Sequence, residues 1–286
     1  MILDNQTNKI YLAAGLRKYE KACLFLLYEL HKERINTEYL KYTKSYKHIW
    51  TRDYMPIQLN KDKFLLYKYK PDYLRGYTDY IPRYKAIVKD LNINCIVTDI
   101  VIDGGNIVKC GNKVIMTDKI FKENPKYQKK DLIEKLEKLM EIQIVLIPWD
   151  RYDMFGHADG MVRYIKGNQV LLNNYSDFDT NLRKSILNAL TPHFIVEELR
   201  YGTPRCSKQS WAYLNFLQTN SCIFVPGLNI KEDSLAIEQI KQYYPEYRVI
   251  QIQGCEELVR DGGALNCISW NILSDVPIWQ EEVVVY

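Results

Sequence analysis

The chain of 286 residues lacks several features that mark other classes of protein. Its seven cysteines are odd in number and scattered, without Cys-x-x-Cys or Cys/His spacing, which argues against a disulfide framework and a structural zinc site. No stretch approaches 18 consecutive apolar residues, and residues 1–5 lack the basic start of an export signal. These absences predict a protein of the reducing cytoplasm that is neither exported nor held in a membrane.

An excess of one charge and flexible linkers are also lacking. The net charge is +4, and 39 basic residues are mixed with 35 acidic ones, so no basic stripe is available to follow a phosphate backbone. Nucleic acid is therefore not an expected partner. No Pro/Gly/Ser-rich segment interrupts the chain and 47% of the residues are hydrophobic, so we predict a single domain over residues 1–286. The sequence leaves open a homo-oligomer.

What the sequence does contain is an internal repeat. Residues 107–115 and 162–172 are similar, and both predict β-hairpins with tight Gly-Asn turns. Further hairpins are predicted at 57–69 and 212–226. Apolar periodicity places helices and strands between the hairpins: the predicted helices span 16–33, 83–91, 126–140, 179–190 and 232–244, and the predicted strands span 95–102, 142–148, 194–199 and 247–253.

The loops between strands and hairpins recur at intervals of 50 to 56 residues, through Asp53, Asp103, His157, Tyr213 and Cys267. We therefore predict an α/β fold of five similar modules around an axis, a pseudosymmetric α/β propeller in which each module sends one loop to a common centre. Closure of such a ring would bring residues 53 and 267 into one site.

One cysteine differs from the other six in its setting. Cys267 closely follows Gly262-Gly263, where the loop can turn tightly and a ligand can approach closely, at the end of the periodic series. We predict that Cys267 is catalytic. The alternative for a lone cysteine is a small buried hydrophobic residue, and this is our interpretation of the others: Cys23, Cys95, Cys110, Cys206, Cys222 and Cys255.

One histidine also stands out. His157 and Asp159 flank one alanine between two glycines, so their side chains point the same way in an extended loop and face one ligand. The other histidines, His31, His48 and His193, have no such setting, and we interpret them as surface or satisfied core residues.

Two more acidic residues occupy the same loop position in their modules as His157 and Cys267 do in theirs. Asp53 follows Trp50, and Asp103 precedes a Gly-Gly pair. Either carboxylate alone could simply cap a turn. Their phase relative to His157 and Cys267 favours a shared site.

Four neighbouring polar residues have open roles. Arg52 and Arg163 are expected to brace carboxylates rather than to touch a substrate. Tyr213 and Asn215 either line the site or only pack.

Several carboxylates beside a thiol suit a guanidinium substrate. This group is planar and permanently charged, and each charge-assisted hydrogen bond to a carboxylate contributes about 1.5 to 3 kcal/mol. Attack by the Cys267 thiolate would give a tetrahedral adduct, from which His157 would help ammonia to leave. Water would then release a urea. This chemistry requires no metal and no cofactor.

The motifs resemble those of agmatine deiminases and bacterial-type peptidylarginine deiminases over nearly the whole chain, in this order: Trp50-Thr51-Arg52-Asp53, Asp103-Gly104-Gly105-Asn106, Gly156-His157-Ala158-Asp159-Gly160, Tyr213-Leu214-Asn215-Phe216, and Gly262-Gly263 with Asn266-Cys267. The resemblance implies the five-module propeller of the guanidine-modifying enzymes, the pentein fold. It implies Cys267 as nucleophile and His157 as general acid and base, with the carboxylates as guanidinium clamps. The predicted catalytic residues are Cys267, His157, Asp159 and Asp103, and the predicted substrate-binding residues are Asp53, Trp50, Gly263 and Asn215.

The chain departs from that family at two of these positions. Asp103 stands where the family usually has glutamate, and Asn266 stands where agmatine deiminases commonly have histidine. These departures bear on the substrate rather than on the type of reaction.

The predicted function is hydrolysis of a guanidino group, most simply of agmatine to N-carbamoylputrescine, a step towards putrescine. Free arginine, peptidylarginine and transfer of the amidine to an amine are the alternatives within the same chemistry. Two alternatives lie outside this chemistry. One is a Cys-His peptidase, in which the clustered acids would have no role, and the other is a binding protein without catalytic activity.

Overall fold

The computed structural model describes residues 1–202 and 210–275. Within these ranges the strands are β1 (Lys9–Ala13), β2 (Asn36–Leu40), β3 (Ile57–Asn60), β4 (Lys63–Lys68), β5 (Cys95–Val101), β6 (Val108–Cys110), β7 (Lys113–Thr117), β8 (Gln143–Ile147), β9 (Val162–Lys166), β10 (Gln169–Leu172), β11 (Ile195–Glu198), β12 (Leu217–Gln218), β13 (Cys222–Pro226), β14 (Arg248–Ile252) and β15 (Ser269–Ile272). The helices are α1 (Glu20–Lys32), α2 (Thr51–Tyr54), α3 (Tyr84–Asp90), α4 (Lys119–Glu123), α5 (Lys129–Met140), α6 (Tyr175–Phe178), α7 (Thr180–Leu190), α8 (Glu232–Tyr243) and α9 (Glu256–Arg260).

Four of the sheets repeat one pattern of three strands. An antiparallel hairpin is followed by a third strand, which returns parallel to the hairpin's second strand: β3–β4–β5, β6–β7–β8, β9–β10–β11 and β12–β13–β14. Parallel pairing requires a crossover connection, and helices lie between the paired strands. The four predicted hairpins are confirmed.

The fifth sheet joins the two ends of the described chain. Strand β1 pairs antiparallel with β15, where Tyr11 lies opposite Trp270, and parallel with β2. The last strand thus completes the hairpin that β1 begins, so the five α/β modules close into the predicted ring. The prediction of a single domain over residues 1–286 stays a prediction.

The predicted helices are present, but the first begins later than expected. Residues 14–18 form a separate 3₁₀ turn, and α1 begins at Glu20. The cause is the close approach of Gly15 to the segment after β2, where its N–H donates to Thr43 O at 2.8 Å. A side chain on Gly15 would stand 2.3 Å from Ser45 O, so this turn is fixed by packing that helical periodicity does not detect.

The loops that leave the third strand of each sheet carry the predicted site residues to one region. Asp53 lies between β2 and β3, Asp103 between β5 and β6, and His157 between β8 and β9. Asn215 and Cys267 occupy the two remaining loops. In the part of the chain that the structure describes, no helix has both the length and the apolar character needed to cross a membrane.

A buried group of charges, here called the Asp4 cluster, joins the N-terminal segment to three modules. Asp4 Oδ1 lies 2.9 Å from Lys109 Nζ and 3.9 Å from a terminal nitrogen of Arg52, and Asp4 Oδ2 lies 3.4 Å from Arg163. Burial disfavours the Asp4 carboxylate, but the three cations outweigh this cost and lower its pKa. The cluster therefore ties the ring together.

Candidate active site

Cys267 lies in the loop before β15 and is only 7% exposed. Its Sγ lies 3.2 Å from Asn215 Oδ1 and 3.9 Å from Asp159 Oδ2. Its backbone N–H also donates to Asn215 Oδ1, at 3.2 Å, and its carbonyl accepts from Arg52 N at 3.1 Å. Loops from the first, third, fourth and fifth modules therefore meet at this thiol, as ring closure predicted for residues 53 and 267.

His157 lies between two carboxylates. Its Nε2 is 2.9 Å from Asp103 Oδ2, and its Nδ1 is 3.7 Å from Asp53 Oδ1. Burial opposes a charge on the imidazole, but Asp53 and the hydrogen bond with Asp103 outweigh it and raise the pKa of His157 to about 10. The imidazole is therefore protonated at neutral pH.

The pKa values of Asp53 and of the Cys267 thiol are raised as well, and for these two acids a raised pKa favours the neutral form. Burial is the largest cause that raises the pKa of Asp53 to about 7; His157 counters it, and Asp103 and Asp159 add to it. Burial, followed by the charges of Asp159 and Asp53, also raises the pKa of the Cys267 thiol. The site without ligand therefore holds more negative charge than it can balance, and its thiol is neutral.

Two glycines allow the loops to approach one another. A side chain on Gly105 would stand 2.5 Å from His157 Nδ1 and 2.9 Å from Asp53 Oδ1. One on Gly263 would overlap the Trp50 ring, at 2.0 Å. We predicted that Gly263 admits the ligand, whereas the contact that requires a glycine here is with Trp50.

Asp159 is held in place by the residue before the nucleophile. Asn266 Nδ2 donates to Asp159 Oδ2 at 2.7 Å, and Asn266 N donates to the backbone carbonyl of Asn215 at 2.9 Å. Asn266 thus links the third, fourth and fifth modules around the thiol.

A cavity of about 700 Å³ opens over these groups. Its polar residues include Cys267, His157, Asp159 and Asn215. Phe155, Met161 and Val259 are among its apolar residues and can contact the methylene groups of a ligand. This size and this mixture of a few polar groups with apolar walls are typical of small-molecule sites.

The predicted residues outside the cavity lining fall into two groups. Asp53 and Asp103 are buried beside His157, and Trp50 packs on Gly263. Arg52 and Arg163 do brace a carboxylate, but it is Asp4 rather than a carboxylate of the site.

A buried lysine that no sequence pattern indicates supports the loop of His157. Lys119, at the start of α4, is 2% exposed and donates to Phe155 O at 2.5 Å, two residues before His157. It also lies 3.4 Å from Glu123 Oε1 and 3.3 Å from Asp72 Oδ1. A charged residue in the first turn of a short helix gives no sequence signal of this role, which depends on a contact between modules.

The other cysteines that the structure describes have no comparable setting. Cys23, Cys110, Cys222 and Cys255 are buried free thiols, and Cys95 is a half-buried one. Cys206 lies outside the described residues.

The sequence model of the family described as Porphyromonas-type peptidyl-arginine deiminase matches residues 3–272. A putative agmatine deiminase of Mycoplasma capricolum is 24% identical over 215 residues, which are 62% of this chain and 59% of that protein. The chain thus spans less than two thirds of the length of the first curated relatives that it matches.

Solved structures share the fold. The agmatine deiminase of C. jejuni is 16% identical with a TM-score of 0.73, and the match covers 96% of each chain. The agmatine deiminase of Enterococcus faecalis is 17% identical with a TM-score of 0.73, again over 96% of each chain. These likenesses establish the five-module propeller of the pentein fold.

Proposed function

The chain belongs to the Porphyromonas-type peptidyl-arginine deiminase family, and from this premise we propose that it hydrolyses a guanidino group to a ureido group and ammonia. Agmatine, which would give N-carbamoylputrescine, is the first candidate substrate, because curated relatives carry the name agmatine deiminase. The observation that carries the proposal is one site with three carboxylates, an imidazole and a thiol. Asp53 and Asp103 flank His157, Asp159 lies 3.9 Å from Cys267 Sγ, and one cavity is lined by His157, Asp159 and Cys267.

Binding of the substrate balances the charge of the site. The guanidinium enters with its planar face towards Cys267 Sγ, and its N–H groups donate to Asp53 and Asp159. Each of these hydrogen bonds is charge-assisted. The added positive charge favours the Cys267 thiolate over the thiol, whose proton leaves to solvent.

The thiolate then attacks the guanidinium carbon. The new S–C bond gives a tetrahedral adduct, and protonated His157 donates a proton to one NH₂ group. The C–N bond breaks, ammonia leaves, and an S-linked amidinium remains on Cys267. Asp103, at 2.9 Å from His157 Nε2, holds the imidazole in place throughout.

Water completes the reaction. Neutral His157 accepts a proton from the water as its oxygen bonds to the amidinium carbon. The C–S bond then breaks and the Cys267 thiolate is restored, while the hydroxyl proton of the adduct leaves to solvent, where it protonates the released ammonia, and the urea departs. One guanidinium and one water thus yield one urea and one ammonium ion. We place this reaction in the cytoplasm, because the described cysteines are free thiols.

The test offers agmatine, free arginine and an arginyl peptide separately to the full chain and measures ureido product and ammonia. We expect ureido product from agmatine, none above background with Cys267→Ala, and undiminished turnover with the matched control Cys95→Ala.

Each other outcome has a definite meaning. Absence of product from all three substrates would overturn the proposed deimination. Undiminished turnover by Cys267→Ala would overturn the thiol mechanism. An amidine passed to an added amine without release of ammonia would assign an amidinotransferase.

A further inference from the structure

Two charged side chains of α4 are almost fully covered, and the proposed reaction uses neither. Lys119 is 2% exposed, and the side chain of Glu123 is 4% exposed. Burial of a lysine is costly, and an uncharged side chain of similar size, such as methionine, would fill the same space without that cost. The charge of Lys119 therefore indicates a partner that needs a strong hydrogen-bond donor.

That partner is the backbone of the loop that carries His157. Lys119 Nζ donates to Phe155 O at 2.5 Å, and Thr117 Oγ1 donates to Gly156 O at 2.7 Å. The carbonyl groups of the two residues before the imidazole are thus both held from the second module, where β7 ends and α4 begins. A hydrogen bond from a charged donor is about twice as strong as a neutral one, so the lysine is the stronger anchor.

The stem of Lys119 packs against the same loop. A side chain on Gly156 would stand 2.7 Å from Lys119 Cδ, and the φ of Gly156 is +65°, a left-handed conformation that favours glycine. Residues 148–157, all of which the structure describes, belong to no helix or strand. Contacts with the neighbouring module therefore determine where this loop places His157.

The lysine is itself held from the side away from the loop. Its Nζ lies 3.3 Å from Asp72 Oδ1, 3.4 Å from Glu123 Oε1 and 4.7 Å from the centre of the Tyr73 ring. The Tyr73 ring in turn meets the Phe155 ring and the imidazole edge-on, at 5.0 Å and 6.2 Å between ring centres. The ammonium group is thus fixed relative to the loop that it anchors.

We propose that Lys119, together with Thr117, positions the general acid: their hydrogen bonds to the loop keep the His157 imidazole within hydrogen-bonding distance of Asp103. The proposal rests on the proposed function and deepens it. Lys119 is not among the described residues that line the cavity, so it acts through the imidazole and not on a substrate. His157 Nε2 lies 2.9 Å from Asp103 Oδ2, and a displacement of about 1 Å would break that hydrogen bond.

The pKa of His157 distinguishes a displaced imidazole from a missing charge. Burial lowers this pKa, whereas the charge of Asp53 and the hydrogen bond with Asp103 raise it, to about 10 overall. Displacement from Asp103 would therefore lower it, but removal of a nearby cation alone would raise it. The acids around the imidazole lie on several elements: Asp53 on α2, Asp103 before β6, Asp159 in its own loop, Glu123 on α4, and Tyr73 and Cys267.

The main experiment combines Lys119→Met with Glu123→Gln. Methionine keeps an apolar stem against the loop but lacks the Nζ donor, and glutamine removes one negative charge, so the net charge of the pair is unchanged. We expect kcat/KM for agmatine to fall by about tenfold to a hundredfold, mainly through kcat. The basic limb of its pH profile should move down by about one pH unit or more, because a hydrogen bond to the charged imidazole is lost.

A second variant needs no buried charge to be removed. Thr117→Val replaces the other donor by a side chain of nearly the same shape, and it should move the basic limb in the same direction by a smaller amount. The position of a pH limb does not depend on the amount of active enzyme, so partial loss of folded protein does not affect this measurement.

Lys122→Met is the matched control on the same helix. Lys122 also pairs with Asp72, at 2.6 Å, and its Nζ lies 5.0 Å from the centre of the Trp149 ring, but it is 57% exposed. In the part of the chain that the structure describes, it makes no hydrogen bond to Phe155. This variant should keep both the kcat/KM and the pH profile of the unchanged chain.

Two results would overturn the proposal. One is a basic limb that stays in place in both test variants, even if activity falls, since Lys119 would then serve stability alone. The other is an upward movement of the limb, which would assign an effect of charge without displacement. If the unchanged chain turns over no guanidine, the proposed function fails, and NMR titration of the His157 imidazole in the same proteins decides the positioning role. A pKa lower in the test variants than in Lys122→Met would support it, and equal values would refute it.

Discussion

Two buried clusters of charge lie on either side of one dipeptide in α2, and their compositions are opposite. Arg52 points into the Asp4 cluster, where three cations surround one carboxylate. Asp53 points into the active site, where three carboxylates surround one imidazole and a thiol. Adjacent residues in a helix lie about 100° apart around its axis, so a single short helix serves both clusters.

The clusters also differ in whether the groups that carry their excess charge have partners within the protein. In the Asp4 cluster the spare cations have neutral partners: Arg52 donates to Asn271 Oδ1 at 2.5 Å, and the Arg163 guanidinium lies 4.5 Å from the Phe216 ring centre. In the active site, Asp103 Oδ1 has no hydrogen-bond partner among the described residues. The Asp4 cluster is therefore complete without a ligand, whereas the active site requires a cation from outside.

Removal of the Asp4 carboxylate should have the largest effect on stability. Asp4→Asn leaves three buried cations without a counterion, so the free energy of unfolding at pH 7 should fall by about 3 kcal/mol. The pKa of Asp4 is lowered in the folded protein, so this stability is present above the carboxyl's ordinary pKa and is lost as the pH falls below it. Urea unfolding at pH 7 and below pH 4 measures both effects.

Asp90→Asn is the control for that measurement. It loses a pair with Lys41 at the surface, where the lysine is 70% exposed, and it should leave the free energy of unfolding unchanged. An Asp4→Asn protein as stable as the Asp90→Asn control would contradict the structural role of the cluster.

Removal of a carboxylate from the active site should have the opposite effects: activity should fall, and the free energy of unfolding should not. Asp53→Asn should lower the kcat/KM for agmatine by about a hundredfold to a thousandfold, because a charge-assisted contact to the guanidinium is lost. Its free energy of unfolding at pH 8 should stay the same or rise. The folded-state pKa of Asp53 is raised, so its ionisation between the ordinary carboxyl pKa and about 7 opposes folding when no ligand is bound.

Steady-state kinetics and urea unfolding on the same preparation separate the two effects. Asp62→Asn, an exposed change on the β3–β4 turn, should alter neither quantity. Loss of stability by Asp53→Asn comparable to that of Asp4→Asn would show that both clusters are structural.

The third prediction concerns pH. Asp53 must be ionised to bind a cation and His157 must be protonated to assist departure of ammonia, so kcat/KM should rise through about pH 7 and fall as the pH passes about 10. Bound guanidinium stabilises the Asp53 carboxylate, so the acid limb of kcat should lie at lower pH than that of kcat/KM. Coincident acid limbs would indicate that Asp53 does not contact the substrate.

Much of the fold and of the site follows from the sequence because both depend on the repeat. The Gly-Asn turns of the hairpins and the apolar faces of the helices are local signals, and the even spacing of the loops places His157 and Cys267 in phase. Ring closure then brings Arg52 N to within 3.1 Å of Cys267 O. Local patterns and a period were thus sufficient to locate the centre of the site.

The residues that the sequence did not predict make contacts between modules, and they do not occupy the loop position that recurs in the repeat. Asp4 precedes the first strand, and Lys119 supports a loop of the next module. No pattern along the chain shows which cation meets Asp4, because that contact depends on packing between sheets.

The smallest expected effect tests the neutral partners of the Asp4 cluster. Phe216→Leu removes the ring that faces the Arg163 guanidinium, whereas Phe224→Leu changes an equally buried phenylalanine of the same core. Both lose apolar contacts, but Phe216→Leu also loses the cation–π contact and the edge-on contact with the Tyr244 ring, whose centre lies 5.5 Å away. We therefore expect Phe216→Leu to cost about 1 kcal/mol or more beyond Phe224→Leu. Equal losses in urea unfolding would mean that the excess charge of the cluster is balanced by its hydrogen bonds alone.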